Sequence, residues 1–320
     1  MQTLLETAYE LKNTKKLIRT FTIQNGNKNR IVNDPIPELK NALRAFNFDL
    51  TNYYVDLLNK YEINEIPQAY LPHKSIKTNA DIHKHSKEII KFDFSHFYDD
   101  VKFEYFNQHL EKIIKPKNLK YDKSLVKRLI IDPKTNGVTQ GLPVSGALAG
   151  ISLIPFWIEL KKRVPDYIKF TQYSDDLIFS YSTQRTPKQF TVKILTKIVK
   201  ETLHDTHRNF TLNDKKTCKQ RNQYRKVTGV RVNHNNQTTP NLKDYRWFRS
   251  FTHKLKQGST LDELLAYYGF ESKASFVGKV SYMRSIDETN KVNKLIQANA
   301  SVFIRNNLFK TWLIVENPFV

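Results

Sequence analysis

The chain has 320 residues, 39% of them hydrophobic and 12% aromatic, which is enough apolar material for a substantial core and more than one lobe. Its 52 Lys and Arg stand against 31 Asp and Glu, and a formal net charge of +21 predicts a polyanionic partner, nucleic acid first and an acidic membrane surface second. A single cysteine, Cys218, excludes an intramolecular disulfide and any Cys-rich zinc site. No apolar run nears the roughly 20 residues of a bilayer span, and residues 1–24 lack the basic-then-apolar order of a secretory signal, so a cytoplasmic protein without membrane contact is expected.

Thr20 to Asn33 reads as two short strands around Asn25-Gly26, a dipeptide suited to a hairpin turn. Pro35 and Pro37 introduce a helix over 38–58, with Leu39, Leu43, Phe46 and Leu50 as its apolar positions. Residues 89–94 form an apolar strand containing Asp93, and Asn136-Gly137 marks a turn before 138–144. The stretch 145–163 is apolar on most sides and predicts a buried helix, bent or interrupted at Pro155. Residues 167–173 and 177–181 read as strands flanking Ser174-Asp175-Asp176, a hairpin with acids at its tip. Thr186-Pro187 predicts a helix start, with Phe190, Ile194, Leu195, Ile198 and Leu203 as one stripe. A short strand follows at 227–232, and from about 241 the pattern is helical. This order is α+β, an antiparallel sheet backed by helices.

Adjacent acids such as Asp175 and Asp176 repel one another, and holding both ionised on a rigid turn is unfavourable without a cation. With Asp93 converging on them, the three carboxylates suit two divalent cations about 4 Å apart, the arrangement used for in-line phosphoryl displacement. Taken alone, the Asp-Asp pair is equally an ordinary solvated turn. Asp99 and Asp100 read as caps of a following helix. Between Arg185 and Arg231 there are 13 Lys or Arg and 3 acids, which suits phosphate tracking over 215–231 beside a solvated helix face.

A series of ordered segments resembles reverse transcriptases. Phe92-Asp93-Phe94-Ser95-His96-Phe97-Tyr98 is similar to the first catalytic motif of that family, an acid with an aromatic five positions later. Thr139-Gln140-Gly141-Leu142-Pro143-Val144-Ser145 resembles its nucleotide-pocket segment, and Tyr173-Ser174-Asp175-Asp176 matches its Tyr-x-Asp-Asp signature. Leu212-Asn213-Asp214-Lys215-Lys216-Thr217 resembles the lysine motif that follows, and Lys28 and Arg30 resemble the fingers segment that grips the triphosphate. Asn79-Ala80-Asp81-Ile82-His83 and Val227-Thr228-Gly229 resemble elements of retron reverse transcriptases, as do Ser75-Ile76 and Gly278-Lys279-Val280-Ser281-Tyr282. The chain departs from the retron pattern in having Ser at 174 in place of Ala, and Leu-Pro-Val-Ser-Gly after Gln140-Gly141 in place of Ala-Pro-Ser/Thr-Ser-Pro. A cousin among the phage-defence and abortive-infection reverse transcriptases is therefore the neighbouring reading.

The resemblance implies an α+β right-hand polymerase: fingers in 1–85 with part of 113–138, a ferredoxin-like antiparallel palm in 86–235, and a helical thumb in 236–320. It implies an RNA-directed DNA polymerase of retron type, copying a structured noncoding RNA into single-stranded DNA from dNTPs with two Mg²⁺ ions, in anti-phage defence, with a toxin or effector protein as a further partner. Asp93, Asp175, Asp176 and the Phe94 backbone carbonyl would bind the metal, and Lys216 would protonate the leaving pyrophosphate, with Lys215 beside it. Lys28 and Arg30 would neutralise the triphosphate. Tyr98 either stacks under the sugar and blocks a 2′-hydroxyl or packs in the core, and Gln140 contacts the nucleotide or template or is a loop amide. Asn79 and His83 either recognise the cognate RNA or pack between fingers and palm; Tyr173 touches the primer terminus or packs. Lys219, Arg225, Lys226 and Trp247 are further nucleic-acid candidates, with core packing the alternative for thumb aromatics. Two other functions stay open: a related defence polymerase that needs no primer or template, and a catalytically silent RNA-binding module.

Overall fold

The computed structural model describes residues 3–25, 28–114, 120–221, 225–309 and 312, apart from the side chains at 25, 28 and 30. The chain divides into two compact units, each built from two stretches: Met1–Ser75 with Ile89–Lys219, and Ile76–Glu88 with Gln220–Val320.

Helix α1 (Leu4–Glu10) opens the first unit behind a capping box, in which Thr3 and Glu6 each accept the other's backbone N–H. Strands β1 (Ile18–Asn25) and β2 (Lys28–Pro35) pair antiparallel from Ile18 opposite Pro35 to Asn25 opposite Lys28, the hairpin expected from the sequence; Gly26 of its turn lies outside the described residues. Helix α2 (Pro37–Lys60) has Pro in its first turn, where a missing N–H costs nothing, and buries Leu39, Leu43, Phe46, Leu50 and Tyr54. Helix α3 (Ile76–His83) belongs to the second unit. Strand β3 (Glu88–Ser95) buries Ile89, Ile90, Phe92 and Phe94, so both of its faces are covered and its apolar run is nearly continuous.

The short helices α4 (Phe97–Asp100), α5 (Asn107–Ile113) and α6 (Lys123–Ile130) lead to α7 (Ser145–Arg163). Asp99 and Asp100 lie inside α4 and cap nothing; the next helical turn, Phe103–Tyr105, begins after Lys102 without a side-chain cap. Helix α7 runs unbroken through Pro155, so the interruption expected there does not occur. A proline weakens the hydrogen bonding of the preceding turn, and in that turn Arg208 Nε donates to the Ser152 carbonyl at 2.6 Å. Gly146 and Gly150 lie on α7 because two rings press on its backbone: a Cβ would sit 2.3 Å from Tyr70 Cγ at the first and 2.2 Å from the Tyr54 hydroxyl at the second.

Strands β4 (Ile168–Tyr173) and β5 (Asp176–Tyr181), helix α8 (Val192–Asp205) and strand β6 (Thr211–Leu212) complete an antiparallel sheet ordered β4-β5-β3-β6. Helix α7 packs against both α2 and α8. Helix α8 starts at Val192 and not at Thr186-Pro187. Its cap is Thr191, whose hydroxyl accepts from Ile194 N, whereas the Thr186 hydroxyl bonds Tyr181 Oη and Phe190 is buried against the Tyr181 ring. Leu195 and Leu203 of the expected stripe are buried and Ile194 is exposed.

Strand β7 (Cys218–Arg221) spans the passage of the chain into the second unit. There β8 (Lys226–Val227), β9 (Val230–Val232) and β10 (Thr238–Thr239) form a small antiparallel sheet ordered β10-β9-β8, with α3 packed on all three. Thr228 and Gly229 both have positive φ, 44° and 90°, as a tight turn between such strands demands. Asn79 Nδ2 donates to the Thr228 hydroxyl at 3.0 Å and pins that strained residue. Helices α9 (Leu242–Lys256), α10 (Leu261–Tyr267), α11 (Lys273–Ser285), α12 (Lys291–Gln297) and α13 (Ala300–Arg305) follow, around a core that includes Phe248, Phe251, Phe276, Met283 and Phe303. Glu288, between α11 and α12, accepts from Lys77 and Lys84 on one oxygen and from Thr238 N on the other.

Candidate active site

The register of β3 and β5 places Asp93 directly opposite Asp176. Only Ser174 and Asp175 separate β4 from β5, and Ser174 adopts φ 55°, so the hairpin reverses in the tightest possible space with Asp175 at its tip. The turn is fastened to β3 by Phe94 N, which donates to the Asp175 carbonyl at 2.9 Å, and the Asp93 carbonyl accepts from Asn213 N at 2.7 Å. One carboxylate oxygen from each of Asp93, Asp175 and Asp176 lies within 4.8 Å of the other two. Among the described residues this is the sole cluster of three or more such ligands.

Burial raises the Asp175 carboxyl, with the Asp93 charge adding to it, against its own backbone hydrogen bond and the charges of Lys216 and Lys91. Asp176 is raised for the same first reason, opposed by Lys91, whose Nζ is 2.8 Å from its Oδ1. Lys216 reaches both Asp93 oxygens, at 2.9 and 3.0 Å, and that bond holds its ammonium above the ordinary lysine range. Two lysines thus flank three crowded carboxylates. An all-oxygen donor set under partial burial and mutual repulsion has the chemistry of a hard divalent-cation site, so these residues fit such an ion.

A cleft of about 470 Å³ opens on the acids and is lined by Asp93, Phe94, Tyr98, Gln140, Asp175 and Lys216, among others. Six residues singled out from the sequence therefore meet in one space. Gln140 is exposed, and Asn33 of β2 donates to its carbonyl at 3.0 Å just before Gly141, whose φ is 93°. Tyr173 is half-buried beside the turn. Lys28 and Arg30 lie on β2, but their side chains are outside the described residues.

Elsewhere the arrangement departs from the expectations for nucleic-acid contact. Asn79 and His83 are both fully buried, at 0% and 1% exposure, so neither can touch a polymer on the surface; Asn79 serves the Thr228 turn. Arg225 is 3% exposed and donates to the carbonyls of Lys84, Ser86 and Asn233 and to Asn236 Oδ1, which makes it an internal cross-link and not a phosphate contact. Trp247 packs among the rings of Phe248, Phe251, Tyr268, Phe270 and Phe276. Lys219 lies over the Phe190 ring, and Lys226 is exposed.

Three residues near the acids were not singled out from the sequence. Lys91 had a readable signal, since it lies two positions before Asp93 on one strand and so shares its face. Asn213 lies in the lysine segment, and its carbonyl accepts from Lys216 N in the turn that aims that side chain. Tyr70 comes from an irregular loop with φ 61° and carried no signal in sequence.

Residues 36–232 match the family described as reverse transcriptase (RNA-dependent DNA polymerase). Over 237 residues, 72% of each chain, the protein is 26% identical to Retron Ec83 reverse transcriptase of Escherichia coli. Among solved structures it resembles apo telomerase from Candida tropicalis, with a TM-score of 0.51 and 13% identity over 95% of this chain and 60% of that one. Telomerase from Candida albicans in complex with a TWJ fragment of telomeric RNA gives 0.47 and 12%, over 92% and 63%. This chain thus spans about 60% of the telomerase chains, and at such identity the likeness concerns the fold alone. Among the described residues no helix is long and apolar enough to cross a membrane. The matched segment carries β3, the Asp175-Asp176 turn and Lys216, and the chain belongs to the reverse transcriptase family, the RNA-directed DNA polymerases with a right-hand fold.

Proposed function

We propose that the protein is a retron-type reverse transcriptase that copies a structured noncoding RNA into single-stranded DNA in anti-phage defence, with Mg²⁺ as its metal. The observation that carries the catalytic part is the convergence of Asp93, Asp175 and Asp176 within 4.8 Å, beside an open cleft that Asp93 and Asp175 line. The retron part rests on the likeness to the Escherichia coli retron enzyme. Fingers in 1–85 with part of 113–138, palm in 86–235 and thumb in 236–320 are the proposed division, and a toxin or effector protein is the proposed further partner.

Asp93, Asp175, Asp176 and the Phe94 carbonyl are the residues that would hold Mg²⁺. When bound, the metal supplies charge neutralisation at the triphosphate and activation of the primer hydroxyl. Lys216, whose ammonium is bonded to Asp93 and lines the same cleft, is the proposed donor of a proton to the departing pyrophosphate. Tyr98 and Gln140 stand on the same cleft, where the first limits room at the sugar 2′ position and the second borders the new base pair. Lys28 and Arg30 on β2 are the proposed triphosphate contacts, and the exposed Lys226 is a candidate phosphate contact.

The test is to sequence the nucleic acid that co-purifies with the protein, assay it for a 2′,5′-linked branch, and measure dNTP incorporation with Mg²⁺. The expected result is DNA complementary to one noncoding RNA, with synthesis lost in Asp175→Asn. Random cellular RNA without complementary DNA refutes the retron reading, and undiminished synthesis by Asp175→Asn refutes the site.

A further inference from the structure

Three hydroxyls form a chain across the cleft. Tyr98 Oη donates to Tyr70 Oη at 2.8 Å, and Tyr70 Oη donates to Ser174 Oγ at 3.2 Å. They come from α4, from the loop after α2 and from the β4–β5 turn, and all three line the cleft with Asp93 and Asp175. Burial, followed by the neighbouring Tyr70, raises the Tyr98 phenol far above its ordinary range, so its hydroxyl is a donor at any physiological pH.

The loop that supplies Tyr70 is tied to the acid hairpin. Gln68 N donates to the Gln172 carbonyl and Gln172 N to the Ile66 carbonyl, each at 2.8 Å, and Pro67 bridges Gln172 as a parallel partner. The Gln172 side chain in turn donates to the Ser174 carbonyl and accepts from Trp157 Nε1. The Tyr70 ring lies on Gly146, where no Cβ fits, and its backbone sits at φ 61°. A residue that is 53% exposed yet strained in backbone and pressed on a glycine is being held for its tip, not for burial. The same ring borders a small pocket of about 20 Å³ together with Gly150, Trp157 and Gln172.

We infer that Tyr70 is a positioning residue for sugar selection: its hydroxyl fixes the Tyr98 ring against the Ser174 turn, and thereby sets how firmly a ribonucleotide is refused. The inference rests on the polymerase reading and on Tyr98 facing the sugar. With the bond intact, Tyr98 cannot tilt away from a 2′-hydroxyl without giving up its hydrogen bond to Tyr70, which Ser174 holds in turn. A neutral hydrogen bond contributes on the order of 1 kcal/mol, equivalent to roughly fivefold in a rate ratio.

The test is Tyr70→Phe, which removes one oxygen and keeps the ring on Gly146. Single-nucleotide incorporation is measured with each dNTP and its matching rNTP, and thermal unfolding is recorded in parallel. The expected result is a roughly fivefold fall in the dNTP-to-rNTP ratio of kcat/KM, through a gain in kcat/KM for the ribonucleotide, which a loss of folded protein cannot produce. Ser174→Ala removes the far acceptor and should shift the ratio the same way by less. Synthesis with an unchanged ratio in both variants overturns the inference alone. Wild-type protein that incorporates neither class of nucleotide overturns the polymerase reading and the inference with it.

Discussion

Replacing Glu288 with Gln keeps the side-chain shape and removes the charge shared by Lys77 and Lys84 in the second unit. Burial alone would raise this carboxyl, but Lys84, the Thr238 N–H and Lys77 reverse that and hold it at about 2, against an ordinary 4.5. At about 1.4 kcal/mol per pKa unit the difference sets a ceiling near 3 kcal/mol. The side chain keeps 24% exposure, and solvent screening brings the expectation to about 1–2 kcal/mol. The pKa is depressed on folding, so the contribution is complete above about pH 4.5 and is lost as the pH falls toward about 2. Urea unfolding of both proteins between about pH 7 and pH 2.5, with hydrogen exchange at the Thr238 amide as the local report, measures it. Glu288→Gln should be the less stable protein at neutral pH, and the gap should close in acid. A gap under about 0.3 kcal/mol at neutral pH, or one that persists unchanged in acid, would show that the lysines are simply solvated.

Two further substitutions probe packing. Arg225→Met preserves bulk and strands four acceptors that now take guanidinium N–H groups, with an expected loss of about 3 kcal/mol by denaturant unfolding and no change in the salt dependence of RNA binding. A shallower salt slope without destabilisation would place Arg225 on a phosphate after all. Gly150→Ala forces a methyl against the hydroxyl of Tyr54, a residue 1% exposed, and overpacking of this kind costs about 1–3 kcal/mol; a neutral result in thermal unfolding would mean that α7 can slide.

What was legible in the sequence was whatever local chemistry decides. The strand around Asp93, the hairpin with acids at its tip and the long apolar helix at 145–163 follow from periodicity and turn residues, and each is present. Convergence of Asp93 on the pair at 175–176 was not local, because it depends on which strand lies beside β5. Thr186-Pro187 has the composition of a helix start, but the Tyr181 hydroxyl and ring engage Thr186 and Phe190 first, and the helix waits for Thr191. Arg225, Asn79 and His83 show the limit most plainly. A basic or amide side chain in a charged stretch reads as surface, and only the fold reveals carbonyls and a strained turn waiting for it inside. Tyr70 fails for a related reason: its loop has no periodicity, and its place is set by contacts of the loop with Gln172 and of its ring with Gly146, both far along the chain.

Helix α3 is coded before β3 yet packs on strands coded more than a hundred residues later. Recombination between relatives that exchanged everything after residue 219 would import a small sheet whose covering helix was chosen by the other parent. Asn79 would meet a foreign turn, and Lys77 and Lys84 a foreign Glu288 position. Segments 76–88 and 220–320 are therefore one heritable part in two pieces, and a functional chimera has to carry both.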